Sequence, residues 1–497
     1  MTQTPEQNLI PDWLKRRAES SPHNIALIFK DEALHWAELY DKALVYAGQM
    51  SAQGVEAGAR VALLLGNTPA FVCAMHATPQ LGAIVVPLNT RLTFAELGWQ
   101  LEDVQPTLLL YDAPNASKAI ELASYTTCPI LSLEELAETE PVTFRQAEYY
   151  ATDQIHSIIY SSGTTGKPKG VMLTYDNHLW NALASCLNLG LQQDDRWMAV
   201  LPLFHVGGMS ILLRSVLYGI PVVLHESFDP AAINLSIIQN RVTIISVVAT
   251  MLQRMMDESS DSGYPAHLRC VLTGGGPVPK PLLERCAALN IPITQTYGMT
   301  ETASQVATLS PADALIKLGS AGRALYPSEI KILHKESSPD GVGEILVRGQ
   351  IVTAGYFNRP EETTQALAEG WLHTGDLGRL DKDGYLYVVD RRSDLIISGG
   401  ENIYPAEIEA VLLAHPVIEE AGVVGVPEER WGQIPVAVVK LRENTNATET
   451  GLIEWCSARL ARYKVPKRIV FAKSLPRNAA GKLVRRLLKD SLLKKTE

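Results

Sequence analysis

Residues 154–170 read QIHSIIYSSGTTGKPKG. QIHSIIY is a short β-branched, apolar run and predicts a buried strand. SSGTTGKPKG, residues 161–170, is a different material. Gly163, Gly166 and Gly170 allow close backbone approach, and successive free N–H groups make a nest for an anion. Ser161, Ser162, Thr164 and Thr165 add hydroxyl donors, and Lys167 and Lys169 add charge. YDNHLWNALASCL (175–187) beyond it predicts a helix. A polyphosphate cradle between strand and helix is the reading. A plain surface turn is the alternative, but such turns rarely concentrate glycine, hydroxyl and ammonium donors together.

Outward from that loop the chain alternates. RVALLLG (60–66), GAIVVPLN (82–89) and TIISVVAT (243–250) are apolar on both faces, as parallel strands under helices are. FAELGWQLEDV (94–104) and PKPLLERCAAL (279–289) carry helical spacing. The alternation predicts an α/β fold of several layers. After residue 325 the pattern shortens. EIKILH, GEILVRG and GYLYVVD, with the KDG turn at 382–384, predict a small β-rich subdomain. DRRSDLIISGG (390–400) is polar and then glycine-rich, and after it come helices (PAEIEAVLLAH, TGLIEWCSARLARY) and strands (EAGVVGV, IPVAVVKL) of their own. The expected division is 1–390 for a large domain of mixed sheets and 391–497 for a small α+β domain. At 497 residues the chain exceeds what one hydrophobic core organises.

A net charge of -10 argues against nucleic acid as a partner. The six cysteines lack C-x-x-C spacing and predict dispersed thiols. No apolar run reaches membrane-spanning length and the N-terminus lacks a secretory core, so a cytoplasmic location without stable membrane insertion is expected. A homo-oligomer is left open.

The loop is not a Walker A motif, because Lys167 is followed by Pro168 and Ser161 stands where its first glycine belongs. There is no G-x-G-x-x-G and no G-x-S-x-G, which weakens dinucleotide and serine-hydrolase readings. Four other stretches carry chemistry: TGGGPVP (273–279), QTYGMTETA (295–303), WLHTGDLGRLDKDGY (371–385) and PRNAAGKLVRR (476–486). Each alone is weak. In this order, with the 161–170 loop, the set resembles the adenylate-forming enzymes: acyl-CoA synthetases, peptide-synthetase adenylation domains and firefly-type luciferases.

That resemblance covers essentially the whole chain. It implies ATP, Mg2+ and coenzyme A as partners, with a small-molecule carboxylic acid as substrate. Ser161, Ser162, Gly163, Thr164, Thr165, Gly166 and Lys169 would cradle the β- and γ-phosphates. Gly274, Gly275, Gly276 and Tyr297 would bracket adenine, and Gly275 would also face the acid. Thr300 would touch the α-phosphate, Glu301 would help hold Mg2+, and Asp376 with Arg391 would hold the ribose. Lys482 would bridge carboxylate and α-phosphate. The small domain would be mobile, hinged at Ser393, where the family more often carries Asp or Lys. Gly399 and Gly400 would swing in for the thioester step.

PLFHVGGMSILLRSVLYG (202–219) is expected to line the acid pocket. His205 matches a family position near the acyl carboxylate, where packing alone is an equal alternative. Arg214 lies inside an apolar helical run. An exposed arginine on an amphipathic helix is the plain alternative; a buried guanidinium needs an anion, and if Arg214 faces the pocket the substrate carries a second carboxylate. With HESFDP (225–230) and SDLIISGGENIYPAEIEA (393–410), it resembles the branch of CoA ligases serving menaquinone and phylloquinone synthesis, whose acid has an aliphatic carboxylate to activate and a distal aromatic one. A fatty-acyl or aryl-CoA ligase with a monocarboxylic substrate is the rival.

Overall fold

The computed structural model describes residues 8–92, 94–161, 168–259, 263–334, 341–391, 396–398, 401–403, 405–428, 432–460, 462, 464–478 and 481–493. Ser162, Gly163, Thr164, Thr165, Gly166, Ser393, Gly399 and Gly400 lie outside the described residues, and Arg391 is described by its backbone alone.

RVALLLG forms the strand Arg60–Leu64, at the heart of one sheet. Parallel to it run Ile84–Pro87 and Leu108–Tyr111, then Ile130–Ser132 on one side and Ile155–Ser161 on the other. TIISVVAT forms Ile244–Val248 in a second sheet, flanked by the parallel strands Trp197–Ala199 and Cys270–Gly274. Val222–Leu224, Ile25–Phe29 and Ile293–Met299 extend it, with antiparallel strands at both ends. Helices Pro69–Gln80 and Val206–Tyr218 lie between the two sheets. Their Phe71, Met75, Met209 and Leu213 share one core with Leu63 and Val85 of the first sheet and Trp197 and Ile244 of the second. Phe94–Val104 covers the outer face of the first sheet, and Ala249–Glu258 and Lys280–Ala288 that of the second. The layering is helix, sheet, helix, sheet, helix, and both sheets are buried on two faces, which is why their strands read as unbroken apolar runs.

One expectation was incomplete. The 161–170 loop does not run straight from strand to helix. Lys169–Thr174 first forms an antiparallel strand on Ile155–Ser161. Gly170 sits inside that strand, and a Cβ there would lie 2.9 Å from Ile158 Cγ2; packing, not positive φ, demands this glycine.

The helix Tyr175–Leu189 then starts with a reciprocal cap. The Thr174 hydroxyl accepts from the Asn177 amide at 3.1 Å, and Asn177 Oδ1 accepts from the Thr174 amide at 2.9 Å, worth about 1 kcal/mol. Asn177 Nδ2 also donates to Gln350 O at 2.7 Å and Val352 O at 2.8 Å, tying the helix start to the β-rich subdomain.

That subdomain is the antiparallel sheet of Glu329–Leu333, Gly343–Arg348, Trp371–Leu380 and Leu386–Arg391, with Leu367–Ala368 at one edge. Beyond it a separate sheet forms from Glu401–Ile403, Ile396–Ser398, Gly432–Leu441, Ile418–Glu428 and Arg468–Phe471. Its core of Ile396, Ile408, Leu412, Val423, Val439, Leu452 and Cys456 is its own. All six cysteines are free thiols.

Candidate active site

Three strand ends and one turn carry the residues expected to meet nucleotide. Ser161 ends its strand and donates its hydroxyl to Glu301 Oε1 at 3.4 Å. The Tyr356 hydroxyl donates to the same oxygen at 3.1 Å. Lys169 pairs with Glu362 at 2.6 Å and lies 4.7 Å from the centre of the Tyr356 ring. Tyr356, Glu362, Lys169, Ser161 and Glu301 therefore form one chain of contacts at the mouth of the 161–170 loop. Tyr356 and Glu362 were not singled out from sequence; the signal was the stretch TAGYFNRPEE (353–362), another glycine–aromatic turn.

Thr300 and Glu301 occupy a short 3-10 turn at the end of the strand Ile293–Met299. Its backbone is tight. Ala303 and Ser304 have φ of +54° and +128°, and a Cβ on Gly298 would fall 1.7 Å from Ser304 O. Such conformations persist only where neighbours over-determine them. Here the Thr353 amide donates to Glu301 O at 2.8 Å, and Asn181 Nδ2 donates to Thr302 O at 3.1 Å and Gln305 O at 3.0 Å.

On the same strand the Tyr297 hydroxyl donates to Asp376 Oδ2 at 2.8 Å. Asp376 is buried in the strand Trp371–Leu380, not in a turn, and its ladder partner is Arg391. Gly274 closes the strand Cys270–Gly274, and Gly275 turns away with φ of +79°, where L side chains are strained. Gly275 and Gly276 are exposed, and a Cβ on Gly276 would meet nothing within 4 Å.

The residues expected to meet the acid lie on and beside two neighbouring helices. His205 precedes the helix Val206–Tyr218 and packs edge-on to Phe204, with ring centres 4.6 Å apart. Its Nε2 is buried without a hydrogen-bond partner. Burial, aided by the charge of Arg91, pushes its pKa down to about 4, so the ring is neutral at pH 7.

Arg214 is not exposed on an amphipathic helix face: it is 2% exposed. Its Nη2 donates to Asn181 Oδ1 at 2.7 Å and its guanidinium carbon lies 5.3 Å from the centre of the Trp197 ring, while Nε has no partner. The far end of its helix stops at Gly219, φ +76°, where Arg17 donates to Val216 O at 2.9 Å and Leu217 O at 2.7 Å. Asn181 was missed from sequence. His178, Asn181 and Ser185 recur at helical spacing on the helix Tyr175–Leu189 and are all buried, a readable polar stripe.

Lys482 is exposed on a tight turn of the small domain, where its amide donates to Asn478 Oδ1 at 2.9 Å and Arg477 bridges Leu483. Among the described residues no three His, Cys, Asp or Glu converge as a metal cage, and no helix is long and apolar enough to cross a membrane.

A family model described as AMP-binding enzyme matches residues 14–357, and one described as AMP-binding enzyme C-terminal domain matches 407–482. The 2-succinylbenzoate–CoA ligase of Geobacillus kaustophilus is 51% identical over 492 residues, 98% of this chain and 99% of its own. The o-succinylbenzoate CoA synthetase of Bacillus subtilis, solved with its acyl-adenylate intermediate, is 44% identical with a TM-score of 0.92, covering 97% of this chain and 99% of that one. The same enzyme with ATP and magnesium also gives 0.92, covering 97% and 100%. A double mutant of it bound to a product analogue gives 0.75 at the same 44% identity, covering 97% and 98%.

Proposed function

The chain belongs to the AMP-binding enzyme family, and on that premise we propose that it is an ATP-dependent acid–thiol ligase that converts o-succinylbenzoate to its coenzyme A thioester in menaquinone or phylloquinone synthesis. In the first half-reaction a carboxylate oxygen attacks the α-phosphorus of ATP and pyrophosphate leaves. In the second, the coenzyme A thiol attacks the acyl carbonyl and AMP leaves. The first step replaces an oxide leaving group, which no acyl transfer can expel, with a phosphate ester.

The residues divide this work by position. The 161–170 loop holds the β- and γ-phosphates, and Thr300 the α-phosphate. Glu301, with the hydroxyls of Thr300 and Ser161 nearby, offers hard oxygen donors suited to Mg2+, which takes one or two carboxylates and fills its shell with phosphates and water; bound there, it neutralises phosphate charge. Asp376 and Arg391 take the ribose, and Gly274 to Gly276 with Tyr297 take adenine. The Tyr297–Asp376 bond fixes those two contacts relative to each other before nucleotide arrives. Neutral His205 donates one hydrogen bond to the acyl carboxylate without trapping it as an ion pair. Lys482 supplies the positive charge that bridges the two reacting groups, a point charge suited to docking and leaving.

Residues 391–497 move as a unit about Ser393, bringing Gly399 and Gly400 to the thioester step. The lower TM-score to the product-analogue complex, at equal identity and nearly equal coverage, supports such a rearrangement. A cytoplasmic location fits substrates of this kind.

The observation that carries the choice of acid is Arg214, buried with a neutral amide as its hydrogen-bond acceptor and no carboxylate partner among the described residues. A monocarboxylic tail would leave that charge unanswered. The test is pyrophosphate release with ATP and Mg2+ across o-succinylbenzoate, benzoate, hexanoate and octanoate, with thioester followed in parallel. Turnover confined to o-succinylbenzoate is expected; preference for a monocarboxylate would remove the second-carboxylate reading and keep the chemistry.

A further inference from the structure

Asn181 stands between the two halves of the site. Its Nδ2 faces the carbonyls of Thr302 and Gln305, at 3.1 and 3.0 Å. Two acceptors require the NH2 end, so the amide oxygen has to face Arg214, where it accepts from Nη2 at 2.7 Å. The orientation of the guanidinium is thereby set by the turn that carries Thr300 and Glu301. No carboxylate among the described residues pairs with Arg214. His178, pushed down to about 3, and Tyr218, pushed up to about 12, are both uncharged at neutral pH, each mainly through burial. The guanidinium also lies against the face of Trp197.

An aspartate is nearly the same shape as asparagine and would be the obvious counter-ion at this position. The chain instead places a neutral group. We propose that Asn181 is the specificity-determining positioning residue of the acid site: it aims Arg214 without neutralising it, so the second carboxylate of the substrate is the only group that completes the charge. Acids lacking that carboxylate are refused because they leave a buried guanidinium unpaired, which is discrimination by a penalty on the wrong ligand as much as by attraction to the right one. The inference rests on the reading of Arg214 given above.

The experiment compares kcat/KM for o-succinylbenzoate with that for 4-oxo-4-phenylbutanoate, the same acid without its ring carboxylate, in the full chain and in Asn181→Asp, Asn181→Ala and Arg214→Gln. The parent chain is expected to prefer the dicarboxylate by about 10²-fold or more. Asn181→Asp supplies an internal counter-ion, so the preference collapses toward unity, by loss with the dicarboxylate and gain with the analogue. The ratio cancels any common loss from the broken contacts to Thr302 and Gln305, which a purely structural role would produce. Asn181→Ala removes the aim without adding charge and raises KM for the dicarboxylate more than KM for the analogue.

A parent ratio near unity would overturn the Arg214 reading itself. A high parent ratio that collapses in Arg214→Gln but survives in Asn181→Asp would leave that reading standing and overturn the role of Asn181. If Asn181→Asp does not fold, Asn181→Ala decides: equal changes in KM for both acids overturn the proposal.

Discussion

Two arginines of this molecule are held against buried groups, and they are treated in opposite ways. Arg269 meets Asp195 with a fork, Nε to Oδ1 at 2.7 Å and Nη2 to Oδ2 at 2.6 Å, and its other donors reach Leu189 O and Gly190 O. Asp195 also accepts from the Gln192 amide at 2.8 Å and the Thr243 hydroxyl at 2.7 Å. Burial would raise the Asp195 carboxyl, but these donors outweigh it and hold its pKa below the ordinary value. Arg214 has one neutral acceptor, an aromatic face and an unpartnered Nε. A charge that serves the fold is satisfied completely by the fold. Arg214 is not, which is the basis for proposing that a substrate carboxylate completes it.

The sharpest way to break this contrast is to remove each cation in turn. Arg269→Ala strands the buried Asp195 carboxylate and is expected to cost about 3–5 kcal/mol of stability, the usual result of deleting one partner of a buried pair. Thermal or denaturant unfolding measures it, and the acid preference of the surviving folded protein should not change. Arg214→Ala is expected to do the reverse. Activity with o-succinylbenzoate falls about 10²-fold, in line with roughly 3 kcal/mol for a desolvated charge contact, while the unfolding midpoint holds or rises because an uncompensated buried charge is gone. A large loss of stability in Arg214→Ala would make it a second structural arginine.

A smaller effect sharpens the nucleotide side. Tyr356→Phe deletes one hydroxyl donor to Glu301 and is expected to raise KM for Mg·ATP about tenfold, from roughly 1.5 kcal/mol for a hydrogen bond to a charged group, with KM for the acid unmoved. An equal rise in both constants would show that Tyr356 supports the turn as a whole.

The smallest effect is in acid. Because the folded-state pKa of Asp195 is depressed, its contribution is fully present above the unfolded value near 3.8 and is lost as pH falls through the folded value. Below pH ~4, the parent should therefore lose stability more steeply than Asp195→Asn. Parallel unfolding curves for the two would assign acid sensitivity elsewhere.

The motifs proposed to hold the nucleotide stand out in the sequence because their chemistry is local. Glycines, hydroxyls and carboxylates fall within a few residues of one another in QTYGMTETA and TGDLG, so both clusters can be picked out directly, although TGDLG lies inside the strand Trp371–Leu380 rather than in a turn. Parallel strands were legible for the same reason: burial on both faces writes an apolar run. Lys169–Thr174 escaped because KGVMLT is a mixed run beside a glycine loop, and only its pairing with Ile155–Ser161 makes it a strand. Tyr356 and Glu362 escaped because their partners, Glu301 and Lys169, are far away in sequence.

By itself, then, the sequence determined the layered α/β architecture with a small C-terminal domain and the family, and it singled out the motifs proposed to meet ATP, since each depends on residue type and short-range spacing. It left Arg214 undecided between a wet helix face and a buried charge, because an apolar run around one arginine is compatible with both. Tertiary structure decided it. Only the packing of Val206–Tyr218 between two sheets, against Tyr175–Leu189 and Trp197, removes the guanidinium from water and sets it opposite a neutral amide. Desolvation is a property of what surrounds a residue from distant parts of the chain, and no local pattern records it.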